Sequence, residues 1–140
     1  MSYIIEISIN MLKHKSIENT EESMKEILIN IANNHECEFY YFDYELMGKN
    51  RRINKTNIII TFMLPEKDEN LIKFIKIIKK FKGVYIESVG LDYGRYSLMY
   101  ASKKYLKKMD SYFAKEYLEN KKNGKLFKQD SIIYQTITSN

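Results

Sequence analysis

The order of hydrophobic periodicities along the chain is the feature that most constrains its fold. Six segments alternate between the two-residue period of strands and the longer period of helices, and polar or turn-rich stretches separate them. Taken as strand, helix, strand, strand, helix and strand, they cover residues 3–12, 20–34, 38–47, 57–64, 69–82 and 84–91. This order predicts an α+β protein with a ferredoxin-like βαββαβ arrangement, built on an antiparallel sheet.

The predicted sheet has the strand order 4-1-3-2, which leaves the second strand at an edge. Both helices should cover one face of this sheet. Asp68 is expected to cap the second helix. We expect four isoleucines, one from each of two strands and two helices, to be buried: Ile7, Ile27, Ile60 and Ile75.

Residues beyond the sheet predict a C-terminal helical extension. Apolar residues recur with helical spacing over 98–122, and residues 131–138 form either a fifth strand or a tail that orders on a partner. The chain of 140 residues is long enough for one domain with its own core. We therefore expect a ferredoxin-like core over 1–97 and a helix and tail over 98–140 within the same domain.

Composition indicates a globular, non-secreted protein. Hydrophobic residues make up 44% and charged residues 29% of the chain, a balance that excludes global disorder. No apolar run approaches the roughly 20 residues that span a membrane, and the N-terminus lacks the basic start of a signal peptide. We expect a cytoplasmic protein without a membrane partner.

Catalytic and metal-binding patterns are missing from the sequence. It has no glycine-rich phosphate loop, no Gly-x-Ser-x-Gly elbow and no His-Glu-x-x-His helix. Cys37 is the only cysteine, and His14 and His35 do not complete a ligand cluster with it. Asp43 and Glu45 share a strand face, which suits either a divalent cation or, as we favour, simple solvation. We predict no catalytic residue, no metal and no cofactor.

Two basic clusters are candidate contacts for phosphate or an acidic partner. The net charge is +5, which permits such contacts. One cluster lies on the predicted hairpin tip and the other on the predicted third helix; their residues are Lys49, Arg51, Arg52 and Lys55, and Lys103, Lys104 and Lys107. The alternative for each is a solvated turn or a solvated helix face.

Aromatic residues supply a candidate interface. The second strand carries rings on both faces, and an edge strand of this kind without lysine or proline favours pairing with another chain. The predicted interface residues are Tyr40, Phe42 and Tyr44 of this strand, with Tyr105 and Tyr112 of the third helix. Stacking of RNA bases on the sheet is the alternative, but the aliphatic third strand lacks the aromatic motif of such modules.

These patterns favour a non-catalytic protein-interaction module that self-associates as a homodimer. The alternative is a basic nucleic-acid-binding protein that contacts phosphates with weak sequence selectivity. An enzyme with a site assembled from distant residues ranks third.

Two segments resemble a group of viral proteins. The opening Met-Ser-Tyr-Ile-Ile-Glu-Ile-Ser and the lysine-rich residues 100–109 look like parts of small uncharacterised proteins from large AT-rich DNA viruses. The resemblance implies a viral origin, with a location in the host cytoplasm or the virion. It assigns no role to any residue.

Overall fold

The computed structural model describes residues 1–10 and 57–139, residues 37–38 and 41–43, and the separate positions 19, 22–24, 26, 29, 30 and 33. Over these residues the protein is α+β, as the sequence predicts, with one antiparallel sheet and several helices. No helix of this described part is long and apolar enough to cross a membrane.

Five strands form the sheet in the described part of the chain. They are β1 (Ser2–Asn10), β2 (Tyr41–Asp43), β3 (Asn57–Pro65), β4 (Val84–Asp92) and β5 (Tyr96–Ala101). Their spatial order is β2-β3-β1-β4-β5, and every neighbouring pair is antiparallel. The first and fourth predicted strands therefore pair in one sheet, and β1 lies at its centre.

Helices follow the strands at several points. The described positions between 19 and 33 are helical. Four complete helices are α1 (Asp68–Ile78), α2 (Lys103–Lys108), α3 (Ser111–Lys122) and α4 (Ile132–Thr138). Gly83, with φ of 76°, ends the turn between α1 and β4, a conformation that glycine adopts without a steric penalty.

The main core lies between one sheet face and α1. Alternation along β1 and β3 points every second side chain to this face, and α1 supplies an apolar stripe opposite. The rings of Phe62 and Phe74 meet edge to face with centroids 4.9 Å apart. Fully buried residues of this core are Ile5, Ile7, Ile9, Ile60, Phe62, Leu64, Leu71, Phe74, Ile75, Ile78 and Val89. Burial of each such side chain contributes about 1.5–3 kcal/mol.

The predicted core positions are confirmed where they are described. Ile7, Ile60 and Ile75 are each 0% exposed, whereas Ile27 lies outside the described residues. The predicted cap of α1 is wrong, because the capping position is Lys67 and it makes no side-chain cap bond. Asp68 instead accepts a 2.5 Å hydrogen bond from the hydroxyl of Tyr3, which ties β1 to the start of α1.

The predicted third helix over 98–122 is wrong in its first part. Its first residues belong to β5, which pairs with β4, so the expected core boundary at residue 97 falls inside a strand. Ser102 then caps α2 by accepting a hydrogen bond from the Tyr105 amide. Asp110 lies between α2 and α3, and it caps α3 by accepting a 2.8 Å hydrogen bond from the Tyr112 amide. Two short helices therefore replace one long one.

The C-terminal segment is a helix rather than a fifth strand. Ser131 caps α4, and Ile133 and Ile137 are buried in the main core. The helix packs against α1. The Lys79 ammonium donates to the carbonyls of Thr136 at 2.8 Å and Ile137 at 3.1 Å, and also to that of Ser139. These bonds satisfy carbonyl groups that the end of a helix leaves open.

Strand β4 carries a bulge at Glu87. Glu6 of β1 faces Ser88, while the next residue, Ile7, faces Ile86. Glu87 is thus the extra residue of the pair. Its carbonyl accepts a 2.9 Å hydrogen bond from the Ser102 amide at the start of α2.

Candidate functional site

The second sheet face holds a cavity of about 630 Å³ beneath α2 and α3. We call it the α3 cavity. It is lined by Ile4, Glu6, Ile59, Tyr96, Leu98, Tyr105, Lys108, Met109, Asp110, Phe113, Glu116, Tyr117 and Asn120. A volume in this range suits a small organic ligand.

Strand alternation and two capped helices position the walls of the α3 cavity. Ile4 and Glu6 are the β1 side chains that point away from the main core, and Ile59 faces Ser8 across the β1–β3 pair. Leu98, Ala101 and Tyr117 form a second, smaller buried cluster that fixes α3 over the sheet. The cavity therefore lies between the sheet on one side and the helices α2 and α3 on the other.

Glu6 is the carboxylate at the floor of the α3 cavity. Ser88 Oγ donates to Glu6 Oε2 at 3.3 Å from the neighbouring strand. Burial raises the pKa of Glu6 above its ordinary value, and hydrogen bonds with Ser88 and Tyr105 partly oppose this rise. An acid on the face of a central strand is thus desolvated but retains acceptor capacity on its two oxygens.

Two tyrosine hydroxyls share this environment with Glu6. Burial, reinforced by the charge of Glu6, raises the pKa of Tyr105 to about 12. Burial also raises the pKa of Tyr96, again with Glu6 contributing. Both phenols therefore stay protonated at neutral pH and can donate or accept hydrogen bonds inside the cavity.

Two buried polar side chains nearby have no hydrogen-bond partner among the described residues. They are Ser8, through its hydroxyl, and Glu87, through both carboxylate oxygens; each residue is 0% exposed. Unpartnered buried oxygens cost free energy. Glu87 also contributes to the raised pKa of Glu6, so the sheet beneath α2 is richer in acid than a typical core.

The structure places the predicted helical lysines outside the cavity. Lys103, Lys104 and Lys107 lie on α2 and are exposed. The Lys104 ammonium lies 5.3 Å from the centroid of the Tyr85 ring, a cation–π contact. The four basic residues predicted on the hairpin tip lie outside the described residues: Lys49, Arg51, Arg52 and Lys55.

The residues of the predicted aromatic interface lie at separate places in the structure. Tyr105 lines the α3 cavity, whereas Tyr112 is 70% exposed on α3. Phe42 lies in β2, which pairs with β3 at the edge of the sheet. Tyr40 and Tyr44 lie outside the described residues. Tyr105 is therefore grouped with Glu6 rather than with Tyr112.

Sequence reasoning missed most of the residues that line the cavity. Glu6 alternates with the buried residues of β1, so its face was expected to be at least partly wet, whereas α2 and α3 cover it. An acid inside an apolar run of a central strand was the available signal. Leu98 gave no signal, because it was taken as the start of a helix, and Tyr96 lay outside every predicted element.

Metal and thiol chemistry find no support in the described residues. No three of their His, Cys, Asp or Glu side chains are grouped to hold a metal ion. Cys37 is buried, and burial raises the pKa of its thiol to about 11. This thiol is therefore a poor nucleophile at neutral pH.

No protein-family model, curated protein or solved structure shows significant similarity to this chain. The resemblance to small viral proteins therefore stays a prediction.

Proposed function

We propose that the protein is a non-catalytic interaction module whose recognition site is the α3 cavity. The observation that carries this proposal is the lining itself, in which apolar and aromatic side chains surround a few convergent polar groups. Ile4, Ile59, Leu98 and Met109 supply apolar walls, and Glu6 supplies a polar floor. Ligand sites in proteins have this composition.

Methyl NMR tests the proposal directly. Neutral aromatic probes such as indole should shift the methyl signals of Ile4, Ile59 and Met109. Ile75, on the opposite side of the sheet in the main core, should not respond. A panel of probes that moves none of the cavity methyls at millimolar concentration would refute the proposal.

A blocking variant sharpens this test. Asn120 is half-buried and lines the cavity from α3, so Asn120→Phe should fill the space and abolish the probe shifts. Lys121 is the exposed neighbour on the same helix and does not line the cavity. Lys121→Phe is therefore the matched control and should leave the shifts unchanged.

We also propose that the protein self-associates through β2. Its support is the position of β2 at the sheet edge, since edge strands present unpaired backbone groups to a second chain. The C-terminal segment, an alternative cover for that edge, packs as α4 on α1. A two-fold pairing of β2 would give a closed dimer.

Light scattering over a dilution series tests self-association. The mass should fall from dimer to monomer on dilution, and Phe42→Lys should shift this transition to higher concentration, because lysine on an edge strand opposes pairing. Ile132 is 69% exposed on α4, so Ile132→Lys is the control. A monomer at every concentration contradicts the proposal.

Nucleic-acid binding is the second candidate function, supported by the exposed lysines of α2. Replacing Lys103, Lys104 and Lys107 with Gln should weaken binding on all sequences alike and lower the salt slope by about 0.9 per lost phosphate contact. Gel-shift titrations at two salt concentrations measure this. No shift at low salt would exclude the candidate.

For the fold, we propose the ferredoxin-like arrangement with one strand added. The order β2-β3-β1-β4 supports it, since it corresponds to 4-1-3-2 read from the other edge. The helical positions between 19 and 33 supply part of the helix that this arrangement requires after its first strand. Strand β5 then extends the sheet beside β4.

A further inference from the structure

Four aromatic rings line the α3 cavity. Tyr96 comes from β5, Tyr105 from α2, and Phe113 and Tyr117 from α3. The faces of such rings attract organic cations. Tyr117 is buried, whereas Tyr96 and Phe113 are 40% and 54% exposed, so the cavity is open to a ligand from solvent. Rings contributed by three separate elements are an arrangement that suits an ammonium group on an apolar body.

Charge at the cavity has the opposite sign to charge on the protein as a whole. The chain carries a net charge of +5, yet three carboxylates line the cavity against one ammonium, that of Lys108. Asp110 accepts the cap bond of α3 through one oxygen. Glu6 already bonds Ser88 and Tyr105, but a carboxylate has about four acceptor sites, so it can accept a further hydrogen bond. An anionic lining in a cationic protein favours a cationic ligand.

We propose that the α3 cavity binds a protonated amine carried on an apolar or aromatic body, with Glu6 as its hydrogen-bond acceptor. This inference rests on the proposed function and names its ligand class. The ammonium donates to the Glu6 carboxylate at the floor, and the apolar body lies against Ile4, Ile59 and Phe113. A free arylalkylamine and a lysine side chain of a partner present the same chemistry.

A matched series of probes tests the ligand class by methyl NMR. Phenethylamine, 2-phenylethanol and 3-phenylpropionate share an aromatic body and differ in charge. We expect the amine to bind at least about tenfold more tightly than the alcohol, because only the ammonium adds the attraction of opposite charges to its hydrogen bond with the carboxylate. The propionate should bind more weakly than both.

The outcomes separate the two proposals. If the alcohol binds as tightly as the amine, the ligand class is wrong while the cavity remains a binding site. If no probe of either charge moves the cavity methyls, both proposals fail. A capped lysine dipeptide that binds as tightly as phenethylamine would identify a partner's side chain as the source, and one that does not bind would indicate a free amine.

Glu6→Gln tests the acceptor with little change of shape. The variant should lose about tenfold in affinity for phenethylamine and much less for 2-phenylethanol, which carries no charge. Glu119→Gln removes one charge from an exposed position of α3 and should leave both affinities unchanged. If Glu6→Gln does not fold, Glu116→Gln tests the same anionic lining. Equal amine affinities in the wild type and in the tested cavity variant overturn the inference.

Discussion

The ring of Tyr96 lies directly against the backbone of Gly90. A methyl group built at Gly90 would overlap this ring and its hydroxyl. The two residues belong to neighbouring strands, β5 and β4. Because Gly90 has no side chain, the Tyr96 ring fits over its backbone and can line the α3 cavity.

Gly90→Ala should displace Tyr96 and destabilise the protein by roughly 1–3 kcal/mol, the usual cost of overpacking. Removing the ring as well, in Gly90→Ala/Tyr96→Ala, should cost less than the sum of the single changes, because the overlap is gone. Urea denaturation measures both. Gly124→Ala is the control, because Gly124 has φ of 69° and open space around it. Its cost comes from backbone strain and should add to that of Tyr96→Ala. Additive costs at Gly90 and Tyr96 would contradict the contact.

The stability of the protein should fall as pH rises through the titration of Glu6. Its pKa in the folded protein lies above the ordinary value of 4.5, so the unfolded chain releases its proton at lower pH than the folded one. Ionisation therefore favours unfolding over the window from about 4.5 to the folded pKa. The groups around this carboxyl include Ser88, Tyr96, Tyr105 and Glu87.

Glu6→Gln should remove this dependence, so that the variant gains stability relative to the wild type as pH rises. Urea unfolding at a series of pH values between 4 and 8 measures the difference. Glu119→Gln, at an exposed position of α3, should retain the wild-type profile. Parallel profiles for the wild type and Glu6→Gln would show that burial of this carboxyl has no energetic effect.

Truncation of the core should be costly at two positions of the central strands. Ile7→Ala and Ile60→Ala each remove a side chain that is 0% exposed, and each should cost about 2–5 kcal/mol. Ile132→Ala at an exposed site should change the free energy of unfolding by about 0.5 kcal/mol or less. Values near zero at both core sites would mean that the sheet faces are reversed.

Glu87→Met should stabilise the protein. The carboxylate is fully buried without a hydrogen-bond partner in the described part of the chain, and methionine keeps a similar length without the unpaired oxygens. We expect a gain of roughly 1–3 kcal/mol in urea denaturation. Glu119→Met on the exposed surface of α3 should be near neutral. A loss of stability at Glu87 would indicate that its carboxylate is paired in solution.

Local patterns were sufficient to predict the centre of the fold. The alternation at Tyr3, Ile5, Ile7 and Ile9 fixed which face of β1 is buried, because strand side chains alternate whatever their neighbours are. The apolar stripe of α1 was equally clear. Each of these elements buries one side and leaves the other exposed or partly covered. The spacing of apolar residues therefore reveals both the type of element and its buried face.

The C-terminal elements could not be predicted in the same way. Leu98, Met99 and Ala101 are good helix formers, yet pairing with β4 makes them a strand, and tertiary contacts override such propensities. Residues 132–138 show the reverse case, since Ile and Thr favour strands while Ser131 caps a helix. The cavity depends on where α3 lies over Glu6, and no local pattern specifies that placement.

The bulge at Glu87 adds one residue to β4 without changing which face the residues on either side of it occupy. Ser88 and Gly90 reach the cavity face while Ile86 and Val89 reach the core, although one residue more than the partner strand needs lies between them. A homologue shortened by this single residue would keep all four residues on the same faces. Its alignment with this chain would then contain a gap in the middle of a strand, at a position where gaps are usually disallowed. An alignment that forbade this gap would exchange cavity residues for core residues from residue 88 to the end of the strand.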